Sequence, residues 1–233
     1  MQLVNAKNIS YQAGESLILA NISFQIKSGD FIGLIGPNGA GKTSLAKLII
    51  GQIKPSAGTL ERKEQLRVGY VPQTHRLSGA SPISVREILA MSKVLDAPQY
   101  QKKLQEVGLD SNFIDYNFHD LSGGQKQKVL IARSLLQKPE LLIFDEPLSA
   151  VDYNAKIQIY KLLSNINHKQ KIAILFISHD VDHVITECHE ILCLNKTLHT
   201  GCHPLDFAKG KITPCKDNSC STNNIAPVHH HHN

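Results

Sequence analysis

An α/β fold built around a phosphate-binding loop is predicted by three features of this 233-residue sequence. The stretch Gly36-Pro37-Asn38-Gly39-Ala40-Gly41-Lys42-Thr43 fits the pattern G-x-x-x-x-G-K-[ST]. It stands between Phe31-Ile32-Gly33-Leu34-Ile35, apolar and short as a buried strand is, and a segment in which Leu45, Leu48 and Ile49 recur at helical spacing. Two more continuous apolar runs, Leu141 to Phe144 and Ile172 to Ile177, read as strands covered on both faces of a parallel sheet. An antiparallel β region precedes this core, and an α-helical subdomain is inserted into it.

Residues 1–30 alternate apolar and polar in short segments, with turn residues at Ala13-Gly14-Glu15 and Ser28-Gly29-Asp30, as a hairpin does. Tyr11 lies near the end of the first strand. Its ring is placed equally well to stack on a nucleotide base or to be an ordinary half-buried strand tyrosine. Lys54 to Gly58 reads as a turn and Arg67 to Gln73 as a strand stopped by Pro72. From about His75 the period changes: Val85 to Leu89, Tyr100 to Val107 and Gln127 to Leu136 are helical. A further helix is expected over about Tyr153 to Ile166 and a strand over Glu190 to Leu194. The division expected is a folded domain over 1–201, with a core of 1–74 and 138–201 and a helical subdomain of 75–137. A Cys- and His-containing tail, 202–233, lacks apolar periodicity and is expected to be poorly ordered.

Composition narrows the class. A 42% hydrophobic content suits a globular fold with a sizeable core, and a net charge of +5 spread along the chain does not suggest nucleic-acid binding. No apolar run approaches the roughly 18–20 residues that span a bilayer, and Met1 to Lys7 lacks the apolar centre of a signal peptide. The expected location is therefore cytosolic unless a partner holds the protein elsewhere. All 5 cysteines lie at or beyond Cys188, and an odd number in a reducing compartment argues against a disulfide framework.

The loop's glycines turn successive N–H groups inward, and the following helix adds its partial positive charge, so a polyanion is held largely by main chain. Lys42 can reach the β and γ phosphates, and the Thr43 hydroxyl is a hard oxygen donor suited to Mg²⁺. Asp145 and Glu146 stand at the end of the run Leu141 to Phe144, the edge at which open α/β sheets bind ligands. Asp145 is assigned to the metal, and Glu146 to orienting and deprotonating the attacking water. Gln73 and His179 end other strands, where a glutamine can hold metal or water and a histidine can donate to the γ phosphate. Leu121-Ser122-Gly123-Gly124-Gln125 opens a helix with a serine cap and two glycines, a second anion-binding surface. One γ phosphate does not need two such surfaces from one molecule, so this one is expected to face the nucleotide of a second copy.

Together these pieces resemble the ATP-binding-cassette family over roughly residues 1–200. Its motifs stand here as the A-loop Tyr11, Walker A at Gly36 to Thr43, the Q-loop Gln73, the signature Leu121 to Gln125, Walker B at Leu141 to Glu146, the D-loop Ser149-Ala150-Val151-Asp152 and the switch histidine His179. The resemblance implies a P-loop NTPase, RecA-like core and a head-to-tail dimer that sandwiches two MgATP between Walker A of one copy and the signature of the other. Lys126 and Lys128 follow the signature where arginine is common, and Val151 stands where leucine is common. A lysine cannot reproduce the arginine fork, but neither departure touches the catalytic set. A cassette without membrane spans implies separate integral-membrane permease subunits, whose coupling helix the segment Thr74 to Met91 would receive, and a cassette held peripherally at the cytoplasmic face of the inner membrane.

Within the family, the signature helix, the segment Ser178 to Val184 and Ile191 to Gly201 resemble the metal-cation importers, those for zinc in particular. That implies an extracytoplasmic metal-binding protein as an indirect partner. His199, Cys202, His203, Cys215, Cys220, His229, His230, His231 and His232 are donors that zinc prefers, and loose regulatory zinc binding by the tail is expected of them. No Cys-x-x-Cys pair is present, and the final histidines fit a native tail or an expression tag equally. Import of manganese, iron or another solute, or a non-transport cassette, are the competing readings.

Overall fold

The computed structural model describes residues 1–72, 82–94, 96–148, 151–178 and 187–202. The chain opens with β1 (Gln2–Ala13) and β2 (Ser16–Lys27), an antiparallel pair whose turn places Gly14 at φ 59°. A two-residue turn leads to β3 (Phe31–Ile35), then the loop and α1 (Lys42–Ile50). The chain returns as β4 (Ala57–Arg62), which pairs with β1 and completes a three-stranded sheet in the order β2-β1-β4. β4 was not foreseen, and its first two residues fall within the turn expected over Lys54 to Gly58. Only Leu60 of the strand is even half-buried, so it lacks the apolar alternation that marks a strand.

The second sheet takes β5 (Val68–Val71), β6 (Leu141–Asp145), β7 (Ala173–Ile177), β8 (Glu190–Asn195) and β9 (Thr197–Cys202), in the order β5-β6-β7-β3-β8-β9. Pairing is parallel from β5 through β8, and antiparallel between β8 and β9. Between β5 and β6 run α2 (Val85–Ala90), α3 (Ala97–Glu106), two 3₁₀ turns and α4 (Gly123–Leu136). α5 (Tyr153–Gln170) connects β6 to β7 and is four residues longer at its end than its sequence pattern suggests. Lys171, in the left-handed region at φ 54°, terminates it.

The period of two explains why these strands read as unbroken apolar runs. Phe31 and Ile35, Leu142 and Phe144, Ile174 and Phe176 join one core with α4 and α5. Ile32 and Leu34, Leu141 and Ile143, Leu175 and Ile177 join the other, with α1 and the β1–β2 pair. Both faces are dry, so every position is apolar until the strand ends. The same parity puts Asp145 on the α1 side of the sheet, in register with Leu141 and Ile143.

α4 packs against β5 at a bare backbone: a Cβ on Gly69 would meet Leu142 Cδ2 at 2.7 Å and Ser134 Cβ at 3.2 Å. One face of α4 carries Gly124, Gln127, Ile131 and Ser134. Gln127 is wholly buried, and neither polar atom of its amide has a hydrogen-bond partner among the described residues. Such a group costs about 1–3 kcal/mol. Gln127→Met, which keeps the shape, is expected to raise the thermal midpoint by about 2–6 °C; a lower midpoint in calorimetry would show that the amide is bonded in solution.

Candidate nucleotide site

At Gly36 (φ 156°) an added Cβ would lie 2.0 Å from the Leu194 carbonyl oxygen, so the loop leaves β3 flush against β8. Gly41 (φ 99°) is the N-cap of α1, where a Cβ would lie 2.6 Å from Leu19 Cδ2 and no side chain caps the helix. The first-turn N–H groups are therefore left for an outside acceptor. The Ala40 amide donates to the Pro37 carbonyl at 3.2 Å and fixes the tip of the loop. A cavity of about 270 Å³ lies over it, lined by Ile18, Asn38 to Ser44 and Glu146.

Lys42 is buried and folds back over the loop: its Nζ donates to the carbonyls of Gly36 (2.8 Å) and Pro37 (3.0 Å) and lies 3.6 Å from Glu146 Oε1. The Thr43 hydroxyl donates to Asp145 Oδ1 at 3.2 Å. Asp145 is only 4% exposed, and its other oxygen accepts from the Tyr70 hydroxyl at 2.9 Å. Glu146 leaves the line of β6 at φ 47°, a left-handed conformation that side chains other than glycine rarely adopt, while its amide still donates to Ile177 O at 3.1 Å. The departure turns its carboxylate to Lys42, while Asp145 turns to Thr43 and Tyr70. Two adjacent acids thus serve opposite sides of the loop.

Thr43 and Asp145 offer hard oxygen donors beside an uncapped helix N-terminus, a set that fits Mg²⁺ carried in with a nucleotide. Other expected residues stand apart. Tyr11 pairs with Leu19 in the hairpin and is half-buried against the core, and the hairpin residue lining the cavity is Ile18. Ser122 caps α4 in a reciprocal box: its hydroxyl accepts from the Gln125 amide N–H at 3.3 Å, and Gln125 Oε1 accepts from the Ser122 N–H at 2.9 Å. Gly123 follows, and a Cβ on Gly124 would touch Ala155 Cβ at 2.9 Å, so α4 starts against the start of α5. Asp152 caps α5 through the Ala155 N–H at 2.9 Å. Gln73, His179, His203, Cys215, Cys220 and His229 to His232 lie outside the described residues, as do the side chains of His199 and Cys202 in β9. Cys188 and Cys193 are buried cysteines, and burial, with the charge of Glu187, pushes the Cys188 pKa up and keeps it protonated.

Tyr70 and Ile18 were missed by sequence reasoning. Both sit in strands where apolar or aromatic residues read as core, and no local signal separates them from their neighbours.

Sheet order, loop and paired acids define a P-loop nucleotide-binding α/β protein. The sequence model of the family described as ABC transporter matches residues 19–149. A probable metal transport system ATP-binding protein of Thermotoga maritima is 38% identical over 208 residues, covering 87% of this chain and 85% of that protein. The zinc import ATP-binding protein ZnuC of Vibrio vulnificus is 35% identical over 230 residues, covering 99% and 88%. The chain belongs to the ABC transporter family, as an ATPase cassette. Solved cassettes share its fold: cbiO1 of Clostridium perfringens, part of the ABC transporter complex cbiONQ, superposes with a TM-score of 0.80 at 24% identity, covering 90% of this chain and 92% of that one. The dimeric cassette MJ0796 bound to ADP and Pi superposes at 0.71 and 24%, covering 85% and 98%.

Gly36→Ala drives a methyl into the main-chain carbonyl of Leu194 and cannot be relieved by a rotamer. Its affinity for a fluorescent ADP analogue is expected to fall more than about tenfold, and unchanged affinity would show that the loop shifts freely from β8.

Proposed function

We propose that this chain is the ATPase subunit of a divalent-metal importer, with zinc as the transported ion. The convergence of Lys42, Thr43 and Glu146 on one cavity, with Asp145 hydrogen-bonded to Thr43 beside it, carries the ATPase reading. Near full-length likeness to zinc import ATP-binding proteins supports the choice of ion.

Main-chain N–H groups of Gly36 to Thr43 hold the phosphates, and the Lys42 ammonium neutralises the β and γ groups. Mg²⁺ carried in with the nucleotide would supply positive charge to stabilise the phosphoryl group in transfer. Thr43 and Asp145 hold it, with Gln73 alongside. Glu146 orients and deprotonates the attacking water, and His179 donates to the γ phosphoryl oxygens. An arriving γ phosphate competes for Lys42 and repels Glu146, so it separates that pair and frees the carboxylate for water. Tyr11 stacks on the base. Ser122, Gly123, Gly124 and Gln125, with Asp152, act on the ATP of a second copy in a head-to-tail dimer. In one molecule these residues do not line the loop cavity, which supports the composite arrangement.

No helix among the described residues is long and apolar enough to cross a membrane. Transport therefore requires integral-membrane permease subunits, with the cassette peripheral at the cytoplasmic face of the inner membrane and an extracytoplasmic metal-binding protein delivering the ion. Residues 1–74 and 138–201 form the nucleotide-binding core, 75–137 the helical subdomain that meets the permease, and 202–233 a tail that binds regulatory zinc through Cys202, His203, Cys215, Cys220 and His229 to His232, with His199 of β9 alongside.

Glu146→Gln is expected to keep ATP-dependent dimer closure while lowering hydrolysis by at least about a hundredfold; full turnover would assign the base elsewhere. In vesicles holding the cassette with its permease and binding protein, ATP should drive uptake of ⁶⁵Zn²⁺, and uptake of ⁵⁴Mn²⁺ in preference would overturn the choice of ion. Removing residues 203–233, which spares β9, should leave basal ATPase activity intact and abolish inhibition by micromolar zinc. Unchanged zinc sensitivity would reject a regulatory tail.

A further inference from the structure

The Walker B carboxylate has two oxygens, and each accepts a hydrogen bond, one from the helix after the loop and one from the sheet. Thr43 donates to Oδ1 from α1, and Tyr70 donates to Oδ2 from β5. The geometry behind the second bond is set by register. Tyr70 stands opposite Ile143 in the parallel β5–β6 pair, and Asp145 lies two residues further along the same face. The phenol ring spans that diagonal and delivers its hydroxyl to a carboxylate that is almost wholly buried. Its ring also packs against the core shared with α1, so the hydroxyl is aimed by packing at its base.

A carboxylate has about four lone-pair sites and binds ions through one oxygen or through both. Mg²⁺ demands near-ideal octahedral geometry at short distances and takes one oxygen per carboxylate, whereas Ca²⁺ accepts both oxygens of one carboxylate in a looser, larger shell. A donor fixed on Oδ2 leaves Oδ1 alone to face the ion beside Thr43. We infer that Tyr70 is a positioning residue: it holds Asp145 to a one-oxygen presentation and so favours Mg²⁺ over Ca²⁺ in the nucleotide complex.

This inference rests on the reading of the cavity as a MgATP site. Tyr70→Phe keeps the ring and its packing and removes only the hydroxyl. Binding of a fluorescent ADP analogue, titrated without divalent ion, with Mg²⁺ and with Ca²⁺, separates the effects without turnover. Metal-free affinity is expected to stay as in the wild type, because the loop holds the phosphates unaided. Mg²⁺-supported affinity should fall about three- to tenfold, and Ca²⁺-supported affinity should hold or rise, so the preference narrows by about tenfold. In an Asp145→Asn background the same substitution should leave the preference unaltered. An unchanged preference in Tyr70→Phe, or an equal loss in all three titrations, overturns the inference and leaves the nucleotide site standing. A wild-type protein whose ADP affinity ignored Mg²⁺ would overturn the reading of the cavity as a Mg²⁺-nucleotide site and this inference with it.

Discussion

Every other feature of this molecule depends on β3 lying between β7 and β8, with parallel partners on both edges and a dry core on both faces. A strand so placed has its backbone groups committed along its length, and the chain becomes free at its exit. Neighbouring exits are tied to the same edge: the Ser178 amide donates to Leu34 O at 3.1 Å and the Glu146 amide to Ile177 O at 3.1 Å. Loop, paired acids and the residue before His179 are thereby gathered without any of them having to build the scaffold.

Charge at that edge is arranged by parity and by one break in it. Alternation along β6 aims Asp145 at the α1 side, where Thr43 and Tyr70 meet it. Continued alternation would send Glu146 into the opposite core, where an unpaired carboxylate is costly to bury. The left-handed turn at Glu146 avoids this by redirecting the side chain to Lys42. Backbone strain at one residue therefore separates a carboxylate suited to metal from one suited to water.

The helical half meets the core through α4, which lies on β5 at Gly69 and touches α5 at Gly124. Its start is self-contained: Ser122 and Gln125 satisfy each other's backbone N–H groups. The amide of Gln127, without a hydrogen-bond partner among the described residues, lies one turn further in. A polar group kept dry so close to the signature departs from the apolar packing of the rest of α4.

Much of this was legible in the sequence. The loop, the strands leading into and out of the core, the hairpin and the Ser122 cap each announce themselves within about ten residues, because glycine placement, capping and apolar runs are local physics. β4 and β9 were not legible: β4 is exposed almost throughout, and the pattern of β9 merges with the tail, although it pairs with β8 as far as Cys202. Within the site, Lys42, Thr43, Asp145 and Glu146 could be named in advance, while Tyr70 and Ile18 could not. Tyr70 reaches Asp145 across 75 residues, and its register with Ile143 exists only once β5 and β6 are paired. The amino-acid order alone marked the residues proposed for phosphate, metal and proton chemistry. Tertiary structure alone decided which neighbour restrains each of them, since a hydrogen bond between distant strands depends on register, and register is set by the packing of both faces.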